Sequence, residues 1–592
     1  MRLIELVVNS RPDAGAVGGL RYDAMDWRRL FSRAPNPDAG QAAEDPAERD
    51  RKIVLAYHDV TKHGSQRFAR GPVDLDWETQ PNPFRRWAGA EVLPLAHTPI
   101  GAEPRYEQVY VEGELAPHAL DRAFASQLFF DSLALSAWKS AGESRWSLRV
   151  NPSSGNLHPT EGYLIAPAIA GLSATPFVAH YAPKEHALEV RARFDRALWD
   201  SLALGWPAQC VLVGFSSIHW REAWKYGERA YRYCNHDTGH AIASVTLAAA
   251  AMGWRATLLD ELGSDAVARL LGLGDTRAPE AEEPECVLLL HPQSAERSAV
   301  ELDDHPIERF AGLTWAGAPN VLSSDHVAWE VIEATADAAR KPASVRARAA
   351  FESPWPAMPV GDEAISFRRI AHQRRSAVAM DGRSGLARDA FYQTLRRTLP
   401  SRAGAPFTTL SWSPRVHLAL FVHRVADLEP GLYFLVRDPA DETALREAMR
   451  PEFTWTKPPG CPADLPLFTL HGGDVRGLAA RVSCDQQIAG DGCFSLGMIA
   501  RFASSIAEDG AWMYPRLFWE TGVVGQVLYL EAEALGLRAT GIGCFFDDAV
   551  HGVLGLRNRA WQSLYHFTIG GAVEDTRIAR EPAYATAPAG PL

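Results

Sequence analysis

An internal repeat constrains the fold of this chain more strongly than any other feature of its sequence. Residues 252–273 read MGWRATLLDELGSDAVARLLGL, and residues 535–556 read LGLRATGIGCFFDDAVHGVLGL. The two segments align without gaps at an offset of 283, and ten of the 22 aligned positions are identical. The dipeptide Thr-Gly recurs upstream at the same offset, at 238–239 and 521–522. A match of this length and spacing indicates two copies of one domain fused in tandem.

Cap and turn signals in the repeat predict the local structure of each copy. A long helix is predicted over about 239–252 and again over about 522–535, and each helix runs into the pattern Gly-x-Arg-Ala-Thr. Glycine directly after a helix favours a left-handed cap, so we expect both helices to end there and a short strand to follow. The motifs Asp-Ala-Val and Leu-Gly-Leu then mark the start and the end of a second helix. Each copy is therefore predicted to be an α+β domain.

Changes in composition divide the 592 residues into four parts. Residues 1–50 are rich in Ala, Gly, Pro, Asp and Arg without hydrophobic periodicity, so we expect a loosely ordered segment. The first domain is predicted over 51–300 and the second over 363–592. Residues 301–362 combine Ala-rich helical text with a Pro-rich stretch. Because proline cannot continue a helix, we predict a helical linker that ends in an extended strap.

The composition excludes several classes of protein. The hydrophobic fraction of 47% and the charged fraction of 22% are those of a globular protein. The net charge of −12 argues against a dedicated nucleic-acid-binding protein. The longest gently apolar run, 241–254, is shorter than the roughly 20 residues that span a bilayer. We therefore expect a cytoplasmic protein with no membrane partner. Its seven cysteines lack CxxC spacing, so we expect them to be structural thiols.

One loop is present in the first copy alone. It reads Pro152, Ser153, Ser154, Gly155, Asn156, follows text that we interpret as helical, and precedes a predicted strand over 161–165. Its hydroxyls, amide and backbone donors suit the heteroatom edge of a ring, although the same residues also form ordinary turns. The corresponding region of the second copy, about 401–420, has lost the pattern.

The second copy keeps a glycine-rich strand that the first copy has lost. Gly541, Ile542 and Gly543 follow its Arg-Ala-Thr motif, whereas bulky residues 258–262 follow the same motif in the first copy. Glycine lets the backbone approach a flat ligand closely. This strand is therefore a candidate for lining one face of a cofactor.

Two adjacent arginines lie near the start of the second copy. Arg374, Arg375 and Ser376 precede helical text that runs to about Arg397. Two guanidinium groups and a hydroxyl at a helix start would bind an anion, because free backbone donors and the helix dipole add to the charge. A surface arginine pair without a ligand is the alternative.

A lysine and a tyrosine precede the long helix of the first copy. Lys225 and Tyr226 belong either to an amphipathic helix that packs its tyrosines or to a proton-transfer pair in a cleft, because burial lowers the pKa of a lysine. The second copy has no lysine in the same region, 511–515.

With these motifs, the chain resembles the FMN-dependent nitroreductase superfamily, and within it the SagB-type dehydrogenases that include azoline oxidases. The resemblance covers most of about 50–585. It is carried by short motifs in a fixed order, which are Tyr57-His58, Thr61-Lys62-His63, Arg149-x-x-Pro-Ser-x-Gly-Asn, Lys225-Tyr226-Gly-x-Arg, Tyr231-Arg232-Tyr233, Gly239-His240, Arg374-x-Ser376, Gly541-Ile-Gly, Gly570-Gly571 and Arg577.

The resemblance implies two nitroreductase-like domains in an intramolecular pseudo-dimer, with FMN between them. It assigns cofactor contacts in the second copy to Arg374, Arg375, Ser376, Gly541, Ile542, Gly543 and Arg577. It assigns those in the first copy to Pro152, Ser153, Ser154 and Asn156. The family pattern commonly continues Arg-x-Ser-x-Arg/Lys, but that last position here is Val378. Because the complementary site lacks both elements, we expect one FMN per chain in a monomeric pseudo-dimer.

The resemblance also implies the function, an FMN-dependent oxidoreductase that dehydrogenates a small or peptide-derived heterocycle. In this use Lys225 or Tyr226 takes a proton while hydride passes to the flavin. An NAD(P)H-dependent nitro or quinone reductase is one alternative. Another is a degenerate flavodomain that binds a biosynthetic partner enzyme or a leader peptide. A metal hydrolase would need clustered ligands, which His58 and His63 alone do not provide, so no metal is expected.

Overall fold

The computed structural model describes residues 45–274, 278–295, 304–343, 364–401 and 404–584. The segment 1–50 that we predicted to be loosely ordered lies outside these residues, except for its last six positions. Residues 301–303 and 344–362 of the predicted linker also lie outside them.

Each half of the chain contains a long central helix and several shorter helices. The first half contains α1 (Pro46–Val60), α2 (Arg122–Phe130), α3 (Arg196–Leu202), α4 (His219–Tyr226), α5 (Ala230–Ala250), α6 (Ser264–Leu271), α7 (Asp304–Glu308) and α8 (Glu330–Ala338). The second half contains α9 (Phe367–Gln373), α10 (Arg388–Arg397), α11 (Glu442–Ala448), α12 (Arg476–Val482), α13 (Ile488–Asp491), α14 (Ala503–Asp509), α15 (Met513–Ala534) and α16 (Asp547–Leu554). Short 3₁₀ helices cover Trp77–Thr79, Tyr106–Tyr110, Ser154–Asn156, Gly227–Arg229, Arg309–Gly312, Phe407–Thr409 and Pro439–Asp441.

The strands likewise divide between the two halves. Those of the first half are β1 (Trp87–Ala88), β2 (Glu91–Pro94), β3 (Leu135–Ala141), β4 (Ser144–Arg149), β5 (Thr160–Ala166), β6 (Phe177–Ala182), β7 (Ala187–Arg193), β8 (Val211–Ser217), β9 (Trp254–Leu258), β10 (Glu283–Pro292) and β11 (Ala318–Pro319). Those of the second half are β12 (Val416–Val422), β13 (Gly431–Leu435), β14 (Leu467–Gly472), β15 (Phe494–Arg501), β16 (Arg538–Ile542), β17 (Trp561–Gly570) and β18 (Ala579–Glu581).

Two antiparallel sheets organise the halves. The strand order is β2-β7-β6-β5-β8-β10-β9 in the first sheet and β14-β13-β12-β15-β17-β16 in the second. The strands β8 and β12 are buried at every position, which explains their predominantly apolar sequences. This arrangement confirms the predicted fold class, a tandem of two α+β domains.

The repeat forms equivalent elements in the two halves. The strands β9 and β16 and the helices α6 and α16 occupy the predicted positions. Gly253 and Gly536, which follow the long helices, have φ values of 71° and 69°, so the predicted left-handed caps are confirmed. The long helices begin at 230 and 513, well before the predicted starts. The predicted starts are wrong because Gly239 and Gly522 serve the contact between α5 and α15 rather than a helix end.

The two halves form one packed unit in which segments cross over. One hydrophobic cluster includes Ile242 of α5 and Val523 of α15. The late strand β18 pairs with β3 of the first half, and the ring of His58 on α1 lies 3.1 Å from the Gln562 side chain. Such exchange of segments is typical of a dimer, here within one chain. Among the described residues, none of the helices has both the length and the apolar composition required to cross a membrane.

A buried ion cluster ties the halves together. Asp547 at the start of α16 accepts hydrogen bonds from Arg229 at 3.0 Å and from Arg232 at 2.7 Å, and all three side chains are at most 1% exposed. Burial by itself would raise the pKa of Asp547, but the two guanidinium groups hold it well below its usual range. Loss of one partner would leave a buried charge unpaired, which costs about 3–5 kcal/mol.

Candidate functional site

A cavity of about 380 Å³ lies at the junction of the two halves. Its size is within the range of small-molecule sites, roughly 300–1,000 Å³. Most residues predicted for the cofactor site line it, namely Pro152, Ser153, Ser154, Asn156, Arg374, Arg375, Ser376, Gly541, Ile542 and Gly543, and so does Tyr226, which was predicted to be catalytic. The tertiary structure thus brings elements of both halves to one cavity.

The Pro-Ser loop of the first half connects β4 to β5. The prediction of helical text before this loop is wrong, because β3 and β4 form a hairpin there. The loop turns sharply at Gly155 and Asn156, which have φ values of 56° and 61°. The Asn156 amide donates to the Ser147 carbonyl at 2.7 Å, which ties the loop to β4.

Asp237 on α5 holds the Pro-Ser loop in place through hydrogen bonds to Ser154. Its carboxylate accepts hydrogen bonds from the Ser154 backbone N–H, at 3.0 and 3.1 Å, and from the Ser154 hydroxyl at 3.0 Å. Burial raises the pKa of Asp237 to about 7, although the hydrogen bonds from Ser153 and Ser154 oppose the shift. A carboxyl group that lines the cavity can therefore gain or lose a proton near neutral pH.

A second buried acid, Glu222, lies close enough to Asp237 for their charges to interact. Glu222 on α4 is fully buried, and neither of its carboxylate oxygens has a hydrogen-bond partner among the described residues. Burial and the neighbouring charge of Asp237 raise the pKa of Glu222 well above its usual value. The sequence analysis missed both acids. The repeat offers a signal for Asp237, because Glu520 stands at the same offset of 283 and holds the backbone of Arg415 in the second half.

Arg374 and Arg375 reach the cavity from a different local structure than we predicted. They follow the end of α9, and the next helix, α10, begins only at Arg388. The predicted helix start at these arginines is wrong, so no helix dipole adds to their charge. The Arg374 guanidinium instead donates to two carbonyls of the first half, Val150 at 3.2 Å and Arg149 at 3.0 Å.

Three positively charged side chains, those of Arg374, Arg375 and Lys139, lie together at the cavity wall. Burial, together with the charge of Arg374, lowers the pKa of Arg375 to about 9. The Arg375 Nε has no hydrogen-bond partner among the described residues. Lys139 of β3 also lines the cavity, and burial and the charge of Arg375 lower its pKa. Three basic side chains so arranged suit an anionic group of a ligand.

Tyr529 of α15 links two predicted elements of the second half. Its hydroxyl lies 2.8 Å from the Ser376 hydroxyl and accepts a hydrogen bond from the Gly541 backbone N–H at 2.9 Å. The glycines in β16 and directly after it also leave room for tyrosines: a Cβ on Gly541 would lie 2.7 Å from the Tyr565 ring, and one on Gly543 would overlap the Tyr233 ring. Glycine is required here because aromatic rings pack directly on the strand backbone.

The complementary position in the first half is filled by side chains. Asp260, which is equivalent to Gly543, forms an ion pair with Arg516 at 3.1 Å and accepts a hydrogen bond from Ser411 at 2.8 Å. The bulky residues predicted from the sequence thus occupy the space that glycines leave open in the second half.

The structure does not bring Lys225 and Arg577 to the cavity. Lys225 is half-buried at the end of α4, and its Nζ lies 5.3 Å from the ring centroid of Tyr226. Tyr226 itself lies against the Pro-Ser loop, since a Cβ on Gly155 would be 2.5 Å from its hydroxyl oxygen. Arg577 is fully exposed and pairs with Asp575 at 2.8 Å. Lys139 of the first half is a basic residue that does line the cavity.

Unpartnered polar atoms indicate that the cavity is built for a polar ligand. Besides the Arg375 Nε, the Asn151 Oδ1 and the His158 Nδ1 are buried at its wall and have no hydrogen-bond partner among the described residues. Buried polar groups in native proteins are nearly always satisfied. The donor set, the tyrosine rings and the basic cluster fit a ligand that combines a polar ring with an anionic group.

Comparison with known proteins shows what each half of the chain is similar to. Two segments, 130–289 and 470–571, match the nitroreductase family. The segments fall one in each half, so this chain is a tandem of two nitroreductase-like α+β domains. No curated protein matches the chain at a significant level.

Solved structures place the whole fold in the same context. A candidate nitroreductase from Anabaena variabilis ATCC 29413 is similar over 88% of this chain and 99% of its own, with 23% identity and a TM-score of 0.65. The E. coli microcin synthetase McbBCD complex with truncated pro-MccB17 bound has 17% identity over 45% of this chain and 80% of its own, with a TM-score of 0.24. An oxidoreductase containing FMN has 14% identity over 34% and 74%, with a TM-score of 0.18. The first of these supports the tandem nitroreductase-like fold, and the other two overlay too loosely to add to it.

Proposed function

We propose that this protein is an FMN-dependent oxidoreductase with one active site at the junction of its halves. One observation carries the proposal: the Pro-Ser loop of the first half and the Arg374–Ser376 and Gly541–Gly543 segments of the second line a single cavity. These are the elements that the family resemblance assigns to FMN. The match of both halves to the nitroreductase family supports the same class of chemistry.

The residues present fit FMN in two regions. Arg374, Arg375 and Lys139 would hold the phosphate, since each carries a positive charge at the cavity wall. The Gly541–Gly543 strand and the Pro-Ser loop would hold the ring and its heteroatom edge. When bound, FMN supplies hydride transfer chemistry, while the protein orients the substrate and handles protons.

Two side chains of this chain are suited to proton handling. Burial and the nearby Glu222 raise the pKa of Tyr226 well above its usual value, so its hydroxyl stays protonated and acts as a hydrogen-bond donor in the cavity. Asp237, with a pKa of about 7, can take a proton from a bound substrate at neutral pH. Lys225 stands beside this pair rather than in the cavity, and its part in proton transfer stays a prediction.

We further propose dehydrogenation of a small or peptide-derived heterocycle as the reaction. The presence of both a proton acceptor and a fixed hydroxyl donor in the cavity supports this, because loss of hydride from carbon usually accompanies loss of a proton from a neighbouring atom. The resemblance to SagB-type dehydrogenases points to the same reaction.

The test is a spectrum of the purified chain followed by anaerobic mixing. We expect a yellow protein that releases FMN on denaturation, identified by its mass. Rapid bleaching by a reduced azoline-type heterocycle, with slow bleaching by NADPH, supports the dehydrogenase. The reverse order would assign it as a reductase, and a colourless protein that binds no added FMN would overturn the proposal in favour of a binding role.

A further inference from the structure

Two cysteines that are far apart in sequence meet at the cavity wall. The Sγ atoms of Cys484 and Cys544 lie 2.9 Å apart. Cys544 directly follows Gly543 and lines the cavity, whereas Cys484 lies in the turn after α12. A disulfide bond is about 2.05 Å long, so a shift of less than 1 Å would join the two sulfurs. The CxxC spacing that signals redox cysteines in a sequence is absent here.

Of the two thiols, Cys544 is the one that lines the cavity, so a small molecule in the cavity meets it first. The hydrogen bond between the two thiols lowers the pKa of Cys544, and the charge of Arg229 acts in the same direction against burial. Arg229 is held in place by its own hydrogen bonds to the Gly543 carbonyl, at 3.1 and 3.3 Å. A thiolate next to an arginine is the nucleophilic form of cysteine. By contrast, burial raises the pKa of Cys210.

The two segments are already docked on each other. The Gln486 side chain donates to the Cys544 carbonyl at 2.9 Å, which ties the turn to the glycine strand. Cys484 and Asp485 have φ values of 57° and 56°, a left-handed conformation that is uncommon for residues other than glycine. This backbone presents the Cys484 side chain to Cys544. Both cysteines are half-buried, so a small reagent can reach them.

We propose that Cys484 and Cys544 form a redox-active pair that exchanges with low-molecular-weight disulfides. In the first step the Cys544 thiolate attacks one sulfur of the small disulfide, the S–S bond breaks, and one small thiolate leaves. In the second step Cys484 loses its proton to solvent and attacks the Cys544 sulfur, which expels the second thiolate. Overall, two protein thiols are oxidised to one disulfide, and the small disulfide is reduced to two thiols. The new bond would link the 483–486 turn covalently to the cavity wall.

The test is a thiol map of the full chain. The protein is incubated with defined ratios of oxidised to reduced glutathione, quenched in acid, alkylated and digested for mass spectrometry. We expect a peptide cross-linked through Cys484 and Cys544 whose fraction rises with the ratio and falls again with excess thiol. Cys461, which is also half-buried but contacts backbone carbonyls, should stay alkylated throughout. Alkylation of Cys484 and Cys544 at every ratio would overturn the proposal.

Single variants separate the roles of the two thiols. Cys484→Ser should trap a stable glutathione adduct on Cys544, because the resolving thiol is missing. Cys544→Ser should leave Cys484 at least tenfold less modified than Cys544 is in the first variant. Equal modification of the two variants would overturn the assignment of Cys544 as the attacking thiol. If a variant does not fold, the thiol map of the natural chain decides the proposal by itself.

Discussion

Gly239 of α5 and Gly522 of α15 face each other where the two central helices pack. A Cβ on Gly522 would lie 2.8 Å from the Gly239 Cα, and a Cβ on Gly239 would lie 2.8 Å from the Trp519 Cα. Because the opposing atoms belong to the backbone, an added Cβ can be accommodated only if the two helices move apart. The two residues occupy equivalent positions of the repeat, so the contact has the self-complementary form of a symmetric dimer interface.

This contact predicts that adding one methyl group at either glycine destabilises the folded protein. We expect Gly239→Ala or Gly522→Ala to lower the free energy of unfolding by about 1–3 kcal/mol, the usual cost of overpacking. Gly552→Ala on α16 is the matched control, because a Cβ there has open space around it and the helix gains slightly. Urea denaturation of the three variants makes the comparison. Unfolding of Gly239→Ala at the same urea concentration as the unmodified chain would contradict the helix contact.

Arg374 and Arg577 form a second matched pair. If FMN phosphate lies at the basic cluster, Arg374→Ala removes a charge-assisted contact of roughly 1.5–3 kcal/mol, which weakens FMN about ten- to a hundredfold. Arg577→Ala should leave the affinity unchanged, because that side chain is exposed and paired with Asp575. Titration of the apoprotein with FMN, followed by flavin fluorescence, measures both. Circular dichroism checks that Arg374→Ala remains folded, since Arg374 also holds two carbonyls.

The asymmetry of the halves predicts one FMN per chain. At the position equivalent to Gly543, Asp260 contacts Arg516 and Ser411, so we expect no second flavin to bind there. Release of flavin by denaturation and its quantification against protein concentration should give a ratio close to one. A ratio of two would show that the complementary position opens.

The raised pKa of Asp237 predicts a dependence of stability on pH. The folded state binds this proton up to about pH 7, whereas an unfolded Asp releases it near pH 4. The stability contributed by Asp237 is therefore complete below pH 4 and falls as pH rises toward 7. Relative to Asp237→Asn, the unmodified chain should lose about 3 kcal/mol between pH 5 and pH 8. Urea unfolding of both proteins at the two pH values measures this. Parallel changes would show that Asp237 ionises normally.

Tyr226 is expected to serve the reaction more than the cofactor. Tyr226→Phe removes the hydroxyl from the cavity without changing the ring, and we expect substrate-dependent flavin reduction to slow by roughly 10²-fold, with unchanged FMN affinity. Lys225→Ala changes the adjacent side chain outside the cavity and should have a smaller effect. Anaerobic stopped-flow reduction of the two variants decides this. A full rate in Tyr226→Phe would make Tyr226 a packing residue of the Pro-Ser loop.

Local features of the sequence determined the architecture. The repeat at an offset of 283 predicted the strands β9 and β16, the helices α6 and α16 and the left-handed caps at Gly253 and Gly536. Such features depend on neighbouring residues, since caps, turns and periodicity act over a few positions. The complementary loss of the Pro-Ser loop in one copy and of the glycine strand in the other predicted a shared site, and the retained segments line one cavity.

Tertiary packing decided the details of the site. Asp237 reaches Ser154 across 83 positions, and Cys484 reaches Cys544 across 60, so no local pattern relates either pair. The absence of Arg577 from the cavity likewise depends on where the segment before β18 lies against the first half. The sequence alone determined the elements of the repeat and which copy kept each motif. Only the tertiary structure decided which side chains meet, because burial, pKa shifts and close contacts arise from residues that the chain brings together over long distances.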